Sequence, residues 1–253
     1  MSNNINILIV GAGLIAEEYV KVATNLGYNP TVIGKGQKNI ARLKKVFPHL
    51  EIYHGGIDNW LEANNFASHA IVATNVEFLA DIVMKLVKSG VKKILAEKPL
   101  ALDTSTANNI RCKAIEMGAE VYIAYNRRFY TTVIKAINLI KTDGGLSSFH
   151  FNFTEALFRI NTENYHPSVL SRWGITNSSH VIDTAFFIAG DPDFLYSEVN
   201  GSGFDWHPSG SKFTGMGYAP CHVPFTYNAD WSGPGRWSLE FVTSARKLIL
   251  SPM

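Results

Sequence analysis

The sequence predicts an α/β protein whose first half forms a parallel sheet and whose second half adds strands with one solvated face. Two patterns carry this expectation. In the first half, short apolar runs at residues 5–10, 31–33, 69–74 and 121–124 alternate with helical patterns. In the second half, residues 149–154 and 237–241 alternate apolar with polar side chains.

The first run leads straight into Gly11-Ala12-Gly13-Leu14-Ile15-Ala16, a G-x-G-x-x-A turn, and then into a helix. Gly11 permits a tight turn, Gly13 lets backbone approach a pyrophosphate, and Ala16 lets the helix pack closely on the strand. The helix start at Leu14 and Ile15 points bare N–H groups and a partial positive charge at the phosphates. Strand, turn and helix together predict a dinucleotide-binding, Rossmann-type domain.

The helix runs to Gly27, a good residue to follow its end. Residues 31–33 form the second strand, whose end normally carries an acidic residue for the adenosine ribose of NAD. Here the chain reads Gly34-Lys35-Gly36-Gln37-Lys38, and no Asp or Glu occurs between Tyr19 and Leu50. A 2′-phosphate fits Lys35, with Lys38 or Arg42 assisting, so NADP(H) is favoured over NAD(H). Residues 69–74 close at Thr74-Asn75, where open α/β sheets bind ligands. An amphipathic helix ended by Gly90 follows. Residues 93–96 then deliver Glu97 and Lys98 to the carboxyl edge of the sheet, and Pro99 fixes the exit. Asp103 and Thr104 are candidate caps for the next helix, which Gly118 ends. The strand at 121–124 leads into Tyr125-Asn126-Arg127-Arg128-Phe129.

The Gly11-x-Gly13-x-x-Ala16 turn, Glu97-Lys98-Pro99, Tyr125–Phe129, and Ser179-His180-Val181-Ile182-Asp183 with Gly190 after it occur in one order and spacing. In these motifs the chain resembles the Gfo/Idh/MocA oxidoreductases, the glucose–fructose oxidoreductase and inositol dehydrogenase family. The resemblance covers roughly the first three-quarters of the chain. It implies a nucleotide-binding domain over 1–124 and an α+β domain over 125–253 with a largely antiparallel sheet for substrate binding and subunit contact. The second domain is then short or incomplete at its C-terminal end. The resemblance makes Lys98 and His180 the catalytic pair, and inositol dehydrogenase-like members place an Asp where Thr176 stands here. His180 and Asp183 share a face of a helix expected over 177–189. Tyr125, Asn126, Arg128, Asn177 and Asp183 are implied substrate-binding positions. Arg127, Arg128 and Arg172 are suited to gripping a carboxylate or diphosphate, and Trp173 to stacking on a sugar. Gly11, Gly13, Leu14, Ile15, Ala16, Lys35, Thr74, Asn75, Glu97 and Lys98 are the expected cofactor contacts. A hydride transfer on a secondary alcohol or ketone of a sugar, sugar nucleotide or cyclitol follows from the resemblance. A non-catalytic dinucleotide-binding sensor or scaffold is the competing reading.

Bulk properties narrow the field. The chain has 253 residues, 46% hydrophobic and 17% charged, an ordinary folded composition. A formal net charge of +2 argues against nucleic acid as a partner. No apolar run approaches the roughly 20 residues that span a bilayer, so no membrane role is expected. Residues 1–4 carry no basic leader, and Cys112 and Cys221 make no disulfide or metal framework, which points to the cytoplasm. The scattered histidines and Cys221-His222 lack ligand spacing, so no metal is expected. A homo-oligomer, dimer or tetramer, is expected through the second-domain sheet.

Overall fold

In the computed structural model, which describes residues 5–63 and 66–253, β1 (Ile7–Val10) lies inside a six-stranded parallel sheet. Leu8 and Val10 enter one apolar cluster and Ile9 another, each at most 3% exposed, so this strand is buried on both faces. Its partners are β2 (Thr31–Gly34), β3 (Glu51–His54), β4 (His69–Val72), β5 (Lys93–Ala96) and β6 (Glu120–Ile123). The order β3-β2-β1-β4-β5-β6 reverses its progression at β1, with Leu8 opposite Thr31 on one side and Ala70 on the other. The connecting helices are α1 (Leu14–Asn25), α2 (Gln37–Val46), α3 (Gly56–Glu62), α4 (Val76–Lys88) and α5 (Thr104–Glu116).

Local chemistry explains the helix ends. Gly27, at φ +84°, donates to Thr24 O, and Tyr28 donates to Ala23 O, which closes α1 as expected. Asp103 caps α5 by accepting from the Thr106 amide at 2.7 Å; Thr104 is the first residue of the helix and not its cap. Strand β3 escaped the sequence reading because its Glu-Ile-Tyr-His run is largely exposed at the sheet edge. Residues 1–4, read above as lacking a leader, lie outside the described residues. Among the described residues no helix is long and apolar enough to cross a membrane.

Contacts divide the chain into units Met1–Ala124 and Tyr125–Met253. The second contains α6 (Thr131–Thr142), β7 (Ser148–Asn152), α7 (Pro167–Leu170), α8 (Ser179–Ala189), β8 (Phe194–Asn200), β9 (Lys212–Ala219), β10 (Val223–Asp230), β11 (Ser238–Val242) and β12 (Lys247–Leu250). Its sheet runs β12-β11-β7-β10-β9-β8; β7 and β10 are parallel and the remaining pairs antiparallel. Phe149 stacks on Phe225 at 4.9 Å between ring centroids, and Phe186 of α8 meets Phe225 edge-on at 5.3 Å, so the helix covers this face. On the opposite face Ile249, Glu240, His150, Thr226, Met216 and Tyr196 form one row across all six strands.

Two expectations change here. The helix expected over 177–189 is α-helical only from Ser179, because a π-helical turn, Gly174–Ser178, precedes it. The strand read at 149–154 pairs only to Asn152. Strand β9 was illegible because Gly215 and Gly217 interrupt its pattern. A Cβ on Gly217 would meet the Phe225 ring at 2.6 Å, so the glycine makes room for that ring.

Candidate functional site

In the first unit, the turn after β1 is wedged between the ends of two strands. The Gly11 amide donates to Ile33 O at 2.9 Å, and a Cβ on Gly11 would lie 2.2 Å from Ala73 O. Its φ of +124° also belongs to glycine. Gly13 has no atom within 4 Å of where a Cβ would stand, so the space before it is open. Helix α1 begins there with no side-chain cap. Leu14 and Ile15 are exposed on its first turn, while Ala16 is fully buried against the sheet. Open backbone amides at a helix start are what a pyrophosphate requires.

Around this turn the other expected cofactor residues take distinct places. Lys35 is exposed after β2 and lies over Gly56, where a Cβ would come within 2.4 Å of Lys35 Cε. Arg42 is committed elsewhere: it donates to Ala12 O at 3.1 Å and pairs with Glu17 at 3.2 Å, so it braces the turn and is not poised for a 2′-phosphate. Thr74 and Asn75 follow β4, and Asn75 donates to Glu77 at 3.3 Å. Glu97 accepts a 2.7 Å hydrogen bond from the Tyr19 hydroxyl, which ties the end of β5 to α1. Burial and this carboxylate raise the Tyr19 pKa. Lys98 is half-buried one residue further on, before Pro99.

The second unit gathers its polar residues on one carboxylate. Glu155 Oε1 accepts from Ser178 Oγ at 2.7 Å and Trp237 Nε1 at 3.0 Å. Its Oε2 accepts from Trp173 Nε1 at 3.0 Å and Asn177 Nδ2 at 2.5 Å. Trp173, expected to stack on a sugar, is 4% exposed and packs edge-on to Tyr165 and Trp206; its burial removes it from an open binding surface. Thr176 is buried, and its hydroxyl donates to Val169 O at 3.3 Å. Arg172 is exposed.

Asp183 receives a two-pronged ion pair from Arg128, whose Nε lies 2.8 Å from Oδ2 and whose Nη2 meets Oδ1. That hydrogen bonding raises the Arg128 pKa. The Arg128 guanidinium also lies 5.5 Å from the Tyr125 ring centre. Tyr125 meets His180 edge-on at 5.9 Å, and His180 lies 6.3 Å from Trp237. Asn126 is exposed on a short 3-10 turn, Asn126–Phe129. Glu155 and Trp237 were missed by sequence reasoning, since their partners lie up to 82 residues away in the chain. Among the described residues no cluster of His, Cys, Asp and Glu could hold a metal.

Sheet order, glycine turn and open helix start define the class: a Rossmann-type α/β fold. Residues 5–125 match the Gfo/Idh/MocA model, the oxidoreductase family with an NAD-binding Rossmann fold. The match spans the first unit and agrees with the resemblance read from the motifs.

Solved structures extend the likeness in fold over both units. An oxidoreductase from Thermotoga maritima is 17% identical, with a TM-score of 0.81 over 98% of this chain and 78% of its own. A protein from Desulfitobacterium hafniense, assigned as an NADPH-dependent oxidoreductase, is 16% identical, with a TM-score of 0.79 over 98% of this chain and 73% of its own. The WlbA dehydrogenase from Bordetella pertussis, solved with NADH and UDP-GlcNAcA, is 12% identical, with a TM-score of 0.77 over 95% and 77%. No curated protein matches by sequence.

Proposed function

We propose that this protein is an NADP-preferring dehydrogenase acting on a secondary alcohol or ketone of a sugar, sugar nucleotide or cyclitol. The observation that carries the reading is the carboxyl edge of the first sheet. It presents the open glycine turn after β1 and Lys98 after β5 on the same edge. The exposed Lys35 after β2, with no acidic residue there, supports the preference for a 2′-phosphate. A bound nicotinamide supplies or accepts the hydride. Lys98 and His180 exchange the accompanying proton with the substrate oxygen. Tyr125 and Trp237 flank the His180 ring and restrict its orientation. The uncovered row of the second sheet, with Met216, Tyr196 and Ile249 exposed, is suited to pairing with a second copy.

Turnover of a panel of sugars, polyols and nucleotide sugars, followed by cofactor fluorescence, tests the activity. Lys98→Ala and His180→Ala are each expected to lower kcat by on the order of 100- to 10,000-fold and to leave NADPH affinity nearly intact. Turnover at the parent rate in both variants would refute the acid–base assignment. Tight NADPH binding with no substrate in the whole panel would favour a sensor.

A further inference from the structure

The second unit contains a cleft of about 420 Å³ whose charge the reading above does not use. Arg127, Arg159 and Arg236 all line it, from a 3-10 turn, the segment after β7 and the segment before β11. Trp237 and Glu155 complete the polar part of the wall. The size lies within the range of small-molecule sites.

The charges in this cleft are unbalanced. None of the three arginines makes an ion pair among the described residues, although ten such pairs occur elsewhere. Glu155 offsets only one of the three charges, and its oxygens are bonded to four neutral donors and to none of the arginines. The Arg127 guanidinium lies 4.6 Å from the centre of the Trp237 ring, and its Nη1 is buried with no hydrogen-bond partner. A buried, unpartnered donor on a cation is costly. Desolvation accordingly lowers the Arg127 pKa. An oxyanion in the cleft would supply the counter-charge that the three arginines lack, since guanidinium groups match carboxylate and phosphate oxygens in fixed, two-pronged geometry. A neutral sugar offers no compensating charge.

We propose that this cleft is an oxyanion-binding site for a sugar-like ligand bearing a carboxylate or phosphate, held by Arg127, Arg159 and Arg236. As the substrate's anionic end, it narrows the substrate class and rests on the dehydrogenase reading; as a binding site it stands separately. Trp237 supplies the flat wall beside the anion, and the indole is held in place by its hydrogen bond to Glu155.

Calorimetric titration of the full chain with glucuronate, glucose 6-phosphate and glucose tests the site and distinguishes the two anions. At least one charged probe should bind more than about tenfold tighter than glucose, and the tighter of the two names the group. Arg159→Ala and Arg236→Ala should each weaken that probe by about five- to tenfold, and Arg127→Lys should weaken it while keeping the charge. NADPH affinity, measured in parallel, should not change in the Arg159 and Arg236 variants. Equal binding of glucose, no binding of either anion at millimolar concentration, or unchanged affinity in the Arg159 and Arg236 variants would overturn the site. Anion binding without NADPH binding would retain the cleft and remove the dehydrogenase reading.

Discussion

The turn after β1 and the cluster on Glu155 solve the same problem, holding polar groups in place, by opposite means. The turn does it with backbone. Six consecutive residues, Gly11–Ala16, make the bend, the open approach and the helix start, constrained by the neighbouring strand ends and by Arg42 on Ala12 O. The Glu155 cluster does it with side chains from three separate stretches, around residues 155, 173–178 and 237, joined at one carboxylate. Backbone sites therefore depend on residues that are small, and side-chain sites on residues that are complementary. Substitutions should discriminate sharply between the two.

The largest effect is expected at Gly11→Ala. The new methyl group would occupy space 2.2 Å from Ala73 O, and the residue would have to hold a φ of +124°. Steric overlap and strain together cost about 2–5 kcal/mol. Relief by moving the turn would misplace the helix start, so NADPH binding should be lost. Calorimetric titration and thermal unfolding check this; parent-like binding would mean that the turn has more freedom than its contacts allow.

Glu155→Gln sharpens the contrast from the other side, because it keeps the shape and changes only the chemistry. One oxygen becomes an amide nitrogen, which can accept neither the Trp173 and Asn177 pair nor the Ser178 and Trp237 pair. The two donors facing the new nitrogen are part-buried and cost about 1–2 kcal/mol each, the lower part of the range for an unpaired donor, so a loss of about 2–4 kcal/mol is expected. Urea unfolding with tryptophan fluorescence measures it. NADPH affinity should stay at the parent value, since the carboxylate belongs to the second unit.

The same contrast explains what could be read in the sequence. The first unit's strands and the glycine turn were legible because their signals are local: continuous apolar runs, then small residues at fixed spacing. Strand β3 and helix α3 were not, since an exposed edge strand carries no apolar run. In the second unit, β7, β11 and β12 showed themselves by alternation or apolar content, whereas β8 is exposed at every residue and β9 is broken by glycines. Trp173 was misplaced for a further reason. A tryptophan in sequence does not reveal whether its ring faces solvent, and its burial depends on Glu155, Tyr165 and Trp206. Arg42 resembled a phosphate ligand by its position after β2, but Glu17 and Ala12 O engage it.

The smallest effect is expected at Lys35, where a side chain supplements a backbone site. Lys35 is exposed, and its aliphatic stem lies over Gly56, whose φ of +83° and missing Cβ leave room for it. An ion pair between an exposed ammonium and a phosphate is screened by water and salt, so it should contribute only about 1 kcal/mol. Lys35→Ala should therefore weaken NADPH by about fivefold and leave NADH unchanged. Raising the salt concentration should shrink the difference between the parent and the variant, because screening weakens only the charged contact. Fluorescence titration of both cofactors at low and high salt measures all four affinities. An equal loss for NADPH and NADH would mean that Lys35 acts through the packing of the loop against Gly56 and not through a 2′-phosphate.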